Sequence, residues 1–193
     1  MTPFQQHCER WKSGCGSCHC EGATKVVIAR GQIPADVLLV GEAPGVSEDV
    51  RGIPFDGPAG LLLDQIVARG LENVRVAFTN MVGCLPRNET GKVEPDRDQI
   101  RSCQPRLKEL IEIVKPRLVV AVGGLAEKHL PTTFGKSSRV EFQAGGVVTG
   151  HATIRRWCSI VHPAYILRAV PAQRSLLVQR SVVTLANAVG ELP

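Results

Sequence analysis

Seven cysteines carry the first chemical signal of the 193-residue chain. Cys8, Cys15, Cys18 and Cys20 fall within the first 20 residues, and Cys84, Cys103 and Cys158 follow far apart. Cys15-Gly-Ser-Cys18 is a C-x2-C pair in a glycine-rich loop, which lets two thiolates face one metal centre. Cys84 and Cys103, separated by 18 residues, would complete a four-thiolate set. Such a set suits Zn²⁺ or an iron–sulfur cluster, whereas the alternative makes Cys84 and Cys103 buried core thiols. Residues 1–11 are polar and carry no apolar signal core, so a disulfide framework is the weaker reading. The same feature leads us to expect an intracellular, cytoplasmic protein.

A second group of residues surrounds Gly41-Glu-Ala-Pro-Gly45, a loop continuing to Gly60. It has neither the Lys-Ser/Thr of a P-loop nor a G-x-G-x-x-G pattern, so nucleotide binding is poorly supported. It offers two acids, Glu42 and Asp49, for water positioning or for favouring a cationic sugar; the alternative is that both only order the loop. Phe55, between Pro54 and Gly57, is either a stacking platform or a core side chain. Asn80, at a strand end, offers a donor and an acceptor together, or serves a turn. His162, before Pro163, could stabilise negative charge on a leaving group, or be structural.

These residues need a scaffold, and the hydrophobic pattern supplies one. Residues 36–41, 74–80, 118–124 and 157–161 read as strands, with a further short strand at 147–149. Helices are expected over 61–69, from an Asp96 cap to Val114, around 125–130, and from His162 to about Val189. Strands alternating with helices imply a mostly parallel sheet covered on both faces, with ligands at the carboxyl ends of its strands. Gly41–Gly45, Asn80 and His162 all fall at such ends.

Composition agrees with one globular domain. Hydrophobic residues make up 44% and charged residues 21%, which excludes disorder as the dominant state. No apolar run reaches the ~20 residues of a membrane helix. Lys plus Arg (23) exceeds Asp plus Glu (18), a net charge of +5 that fits a polyanionic partner. Arg87, Arg156 and Arg168 lead the candidates for phosphate contact.

Taken in order, GEAPG from Gly41, Glu48-Asp49, Gly52-Ile-Pro-Phe55, Gly57-Pro-Ala-Gly60, Thr79-Asn80 with Cys84, and His162-Pro-Ala-Tyr-Ile-Leu-Arg168 resemble the iron–sulfur-containing family 4 of the uracil-DNA glycosylase superfamily. The resemblance runs from about Cys15 to about Arg168. It implies a three-layer α/β/α sandwich around a central, mostly parallel four-stranded sheet. We therefore expect a single domain over residues 1–193, with a Cys-rich N-terminal arm over about 1–25, and a monomer. The implied activity is hydrolysis of the N-glycosidic bond of a uracil flipped out of single- or double-stranded DNA.

By the same resemblance, Cys15, Cys18, Cys84 and Cys103 would hold a [4Fe–4S] cluster of structural role. Gly41, Ala43, Phe55, Asn80 and His162 would form the base pocket. Phe55 would stack on uracil, Asn80 would pair with its edge, and His162 would hydrogen-bond its O2. Ala43 supplies no general base, leaving Glu42 and Asp49 as the nearest acids. Two departures bear on substrate choice: Asp56 stands where the family usually has Val, and the loop after Cys84 is rearranged. A glycosylase for another modified or deaminated base, or a non-catalytic iron–sulfur nucleic-acid-binding protein, are the rival readings.

Overall fold

A computed structural model of the protein describes residues 1–16, 23–86, 94–133 and 156–190, without the side chains of 132, 133 and 156. In chain order the elements are α1 (Pro3–Trp11), β1 (Ala29–Gly31), β2 (Val37–Gly41), α2 (Val46–Arg51), α3 (Pro58–Gly70), β3 (Val76–Asn80), α4 (Arg97–Val114), β4 (Leu118–Val122), α5 (Gly124–Thr133), β5 (Arg156–Ile160), α6 (Pro163–Arg168) and α7 (Pro171–Gly190).

The strands form one sheet in the order β1-β3-β2-β4-β5. β3, β2, β4 and β5 run parallel; β1 lies antiparallel on the β3 edge. Every residue of β2 and β4 is buried, as continuous apolar runs covered on both faces must be. Alternate side chains feed two cores. Leu38, Val40, Val119 and Ala121 pack with Leu107, Leu110 and Ile111 of α4. Val37, Leu39, Val120 and Ile160 pack with Leu63 and Ile66 of α3 and Leu185 of α7. Helices thus cover both faces, giving the expected three layers.

Among the described residues the sheet has five strands rather than the four expected. β1 reads Ala29-Arg-Gly31, too short and too polar to show a period, and it exists because β3 offers it an edge. The expected helix from His162 to Val189 is two helices. Pro171 cannot continue a helix, and Ala169 is extended at ψ 155°. Arg174 then covers the open end of α6, donating from Nη2 to the Leu167 carbonyl at 2.7 Å. Asp96 caps α4 as expected, accepting the Gln99 N–H at 2.7 Å. Within the expected loop, residues 46–51 form the short helix α2. The expected strand at 147–149 lies outside the described residues.

Candidate active site

The parallel strands aim their carboxyl ends at one place. Gly41 and Asn80 are register partners at the ends of β2 and β3, and His162 follows the end of β5 by two residues. A cleft of about 920 Å³ opens there, lined by Glu42, Ala43, Phe55, Asn80, His162 and Arg168 among others. Six of the expected site residues therefore converge. Gly41 stands directly behind them: a Cβ on it would lie 2.6 Å from Phe55 Cζ and collide with Asn80 Oδ1.

Phe55 holds a left-handed backbone, φ 55°, which costs a bulky residue energy and needs outside support. Arg30 supplies part of it, donating from Nε to the Pro54 carbonyl at 2.8 Å, while Ser47 Oγ donates to the Asp56 carbonyl at 2.9 Å. The Phe55 ring meets Phe78 edge-on, centroids 6.1 Å apart at 60°. Asn80 is 2% exposed, and its Nδ2 has no hydrogen-bond partner among the described residues. A buried, unmet amide donor at a cleft costs about 1–3 kcal/mol unless a ligand fills it.

His162 caps α6 through its ring. Nδ1 accepts the Ala164 N–H at 3.2 Å, so Nδ1 carries no proton and the proton of the neutral ring sits on Nε2. Burial, followed by the nearby charge of Arg168, lowers its pKa from the usual histidine value and favours that neutral form. Glu42 lies beside it: an added Cβ on Gly123 would approach Glu42 Oε1 at 2.9 Å and His162 Cδ2 at 3.0 Å. Burial raises the Glu42 pKa, partly offset by the Leu125 N–H.

Asp49 is not in this group. It is 1% exposed and faces the N-terminal arm, accepting the Thr24 N–H at 2.9 and 3.0 Å and the Lys25 N–H at 3.3 Å. Among the expected catalytic acids it is the one turned away, because three main-chain bonds hold its carboxylate. Asp56 likewise pairs with Arg51 at 3.1 Å and does not line the cleft. Arg156 begins β5, the end of the strand away from the cleft. Arg87 and Cys18 lie outside the described residues. The sequence reading missed Glu127, which accepts Ser159 Oγ at 3.0 Å in the cleft, and Arg180 of α7. Both come from helices whose apolar spacing gives no sign of what their polar face meets.

A second cavity, of about 310 Å³, lies beneath the arm and is lined by Cys15 and Cys84 among others. Cys103 of α4 is near enough to interact with both thiols. Cys158 is instead a core thiol, pushed up to about 12 by burial. Among the described residues no three His, Cys, Asp or Glu converge on a single metal ion.

Residues 28–183 match the family model of the uracil DNA glycosylase superfamily. A type-4 uracil-DNA glycosylase of Pyrobaculum aerophilum is 36% identical over 156 residues, covering 77% of this chain and 76% of that protein. The chain belongs to the type-4 uracil-DNA glycosylase family. A type-4 enzyme of Sulfurisphaera tokodaii is 38% identical over 116 residues, 59% of this chain, so the match spans about half (51%) of that relative's length. The crystal structure of wild-type Pedobacter heparinus SMUG2 superposes with a TM-score of 0.58 at 12% identity, covering 81% of this chain and 77% of that one. That likeness speaks for the fold alone. No helix among the described residues is long and apolar enough to cross a membrane.

Proposed function

We propose that the protein is a DNA glycosylase that hydrolyses the N-glycosidic bond of a uracil flipped out of DNA, the first step of base-excision repair. The observation that carries this reading is the pair of complementary groups in one cleft: the unmet Asn80 amide and a His162 ring whose only N–H is on Nε2. Phe55 stacks on the base. The Asn80 amide accepts from uracil N3–H and donates to O4; cytosine presents the opposite pattern and is rejected. His162 Nε2–H donates to O2 as the C1′–N1 bond breaks and its electron pair leaves with the base. A water oxygen then bonds C1′ and releases a proton, and the uracil anion gains one. Glu42, near His162 in the cleft, orients that water; Asp49, bonded to the Thr24 and Lys25 N–H groups, does not.

The residues also fit the cluster that type-4 enzymes are expected to carry. Arg106 is 2% exposed, and among the described residues no carboxylate pairs with it. A buried guanidinium needs an anion nearby, and the neighbours that support its charge are the thiols of Cys103, Cys84 and Cys15. Four cysteines would hold a [4Fe–4S] cluster: these three and Cys18 of the C-x2-C pair. When bound it would tie the N-terminal arm to the loop after Asn80, a structural role.

Two measurements test the reading. Oligonucleotides carrying one uracil, thymine, hypoxanthine or 5-hydroxymethyluracil, and a lesion-free strand, are incubated with the protein and then treated with alkali. Strand breaks at uracil, falling about 10²–10³-fold in Asn80→Ala and His162→Ala with DNA binding retained, are expected. Breaks only at another base would move the substrate, and none at all would favour a binding protein. Purified protein should be brown with about four irons per chain; colourless zinc protein would overturn the cluster.

A further inference from the structure

Arg106 lies on the same face of α4 as Cys103, three residues on, and is buried. Its Nη2 donates to the Asn80 carbonyl at 2.5 Å and to the Met81 carbonyl at 3.1 Å, and its Nη1 reaches Thr79 Oγ1 at 3.5 Å. Its other side meets the thiols, with Cys103 close enough to accept a hydrogen bond. The chain leaves room for this contact: a Cβ on Gly83 would come within 3.1 Å of Arg106 Nε. The Nε–H has no acceptor among the described residues, leaving a donor for an anionic sulfur.

We propose that Arg106 is a positioning residue that couples the thiolate centre to Asn80. One end of the guanidinium is the counter-ion of the centre; the other end fixes the main chain from which the Asn80 amide enters the cleft. The inference rests on the function and cluster proposed above. A planar fork can make these contacts together, whereas a lysine ammonium supplies the charge at one point only.

The test compares wild-type protein with Arg106→Met and Arg106→Lys. Iron content, the midpoint potential of the cluster by redox titration with electron paramagnetic resonance, and kcat and KM on a uracil oligonucleotide are measured. Arg106→Met should lower the potential, because a nearby cation favours the more negative, reduced cluster. It should also cut kcat/KM about 10–100-fold. Arg106→Lys should restore most of the potential but not kcat/KM. A merely structural arginine would lower the melting temperature in both variants and leave the potential of the iron-loaded fraction unmoved. If Arg106→Met fails to load iron, Arg106→Lys decides alone: a near-normal potential and a near-normal melting temperature with depressed kcat/KM support the assignment, and a lowered melting temperature that accounts for the lost activity overturns it. Wild-type potential and wild-type kcat/KM together in Arg106→Lys overturn it. Wild-type protein that lacks iron or releases no uracil overturns the preceding function instead, and this inference with it.

Discussion

Gly123 keeps His162 in place by having no side chain: a Cβ there would stand 3.0 Å from both Cβ and Cδ2 of the imidazole. Gly123 also has φ 96°, a backbone state that costs an L-residue about 1–2 kcal/mol. Gly123→Ala should therefore lower stability by about that much in thermal unfolding. It should lower kcat on a uracil oligonucleotide by about tenfold or more, because the ring proposed to meet O2 is displaced. Unchanged kcat would show that His162 has slack the structure does not suggest.

The acid limb of the reaction should report His162. Its folded pKa lies below the usual 6.5, from burial first and Arg168 second. The neutral ring caps α6 through Nδ1, so activity should be level above that value and fall as pH drops through the depressed folded pKa. Stability has the same sign. The unfolded chain binds the proton more readily, so the stabilising contribution is present above 6.5 and is lost as pH falls through the folded pKa. Arg168→Gln removes a lowering charge and should move the acid limb of kcat/KM to higher pH. A limb that stays put would assign it to another group.

Asp49 should behave as an anchor and not as a catalyst. Asp49→Ala leaves the Thr24 and Lys25 N–H groups without their carboxylate, a loss of about 2 kcal/mol or more in denaturant unfolding. Iron content should fall with it, since the arm carries Cys15. The fraction that keeps its iron should retain kcat to within a few-fold, and a collapse of kcat there would return Asp49 to the chemistry.

Phe55→Ala should weaken base release about 5–160-fold, the range expected from about 1–3 kcal/mol of stacking. The loss should be the same for single- and double-stranded uracil oligonucleotides if stacking on the extruded base is what is removed. A loss confined to duplex would place Phe55 in extrusion.

How much of this was legible depended on whether the signal was local. β2 and β4 show as continuous apolar runs because burial on both faces demands it, β3 and β5 as shorter apolar stretches mixed with polar residues, and Phe55, Asn80 and His162 stand out beside the strand ends. β1 shows nothing in Ala29-Arg-Gly31, since its only reason to be extended is β3, some fifty residues later. The split between α6 and α7 was written in Pro171, within an otherwise unbroken helical composition. Asp49 could not be sorted from Glu42 by type or spacing, because its partners are main-chain N–H groups of Thr24 and Lys25. Arg106 had no signal of its own in the sequence; only the fold brings three thiols and the Asn80 carbonyl around it.

The contact between α1 and α4 sets an order of events in synthesis. Trp11 Nε1 donates to Glu109 Oε2 at 2.8 Å across a separation of 98 residues, and Arg10 donates to the same carboxylate at 2.9 Å. At a translation rate of about 5–20 residues per second, α1 waits on the order of 5–20 s for its docking helix to be made. β1 likewise waits for β3. α1 and β1 are thus made long before the elements that fix them.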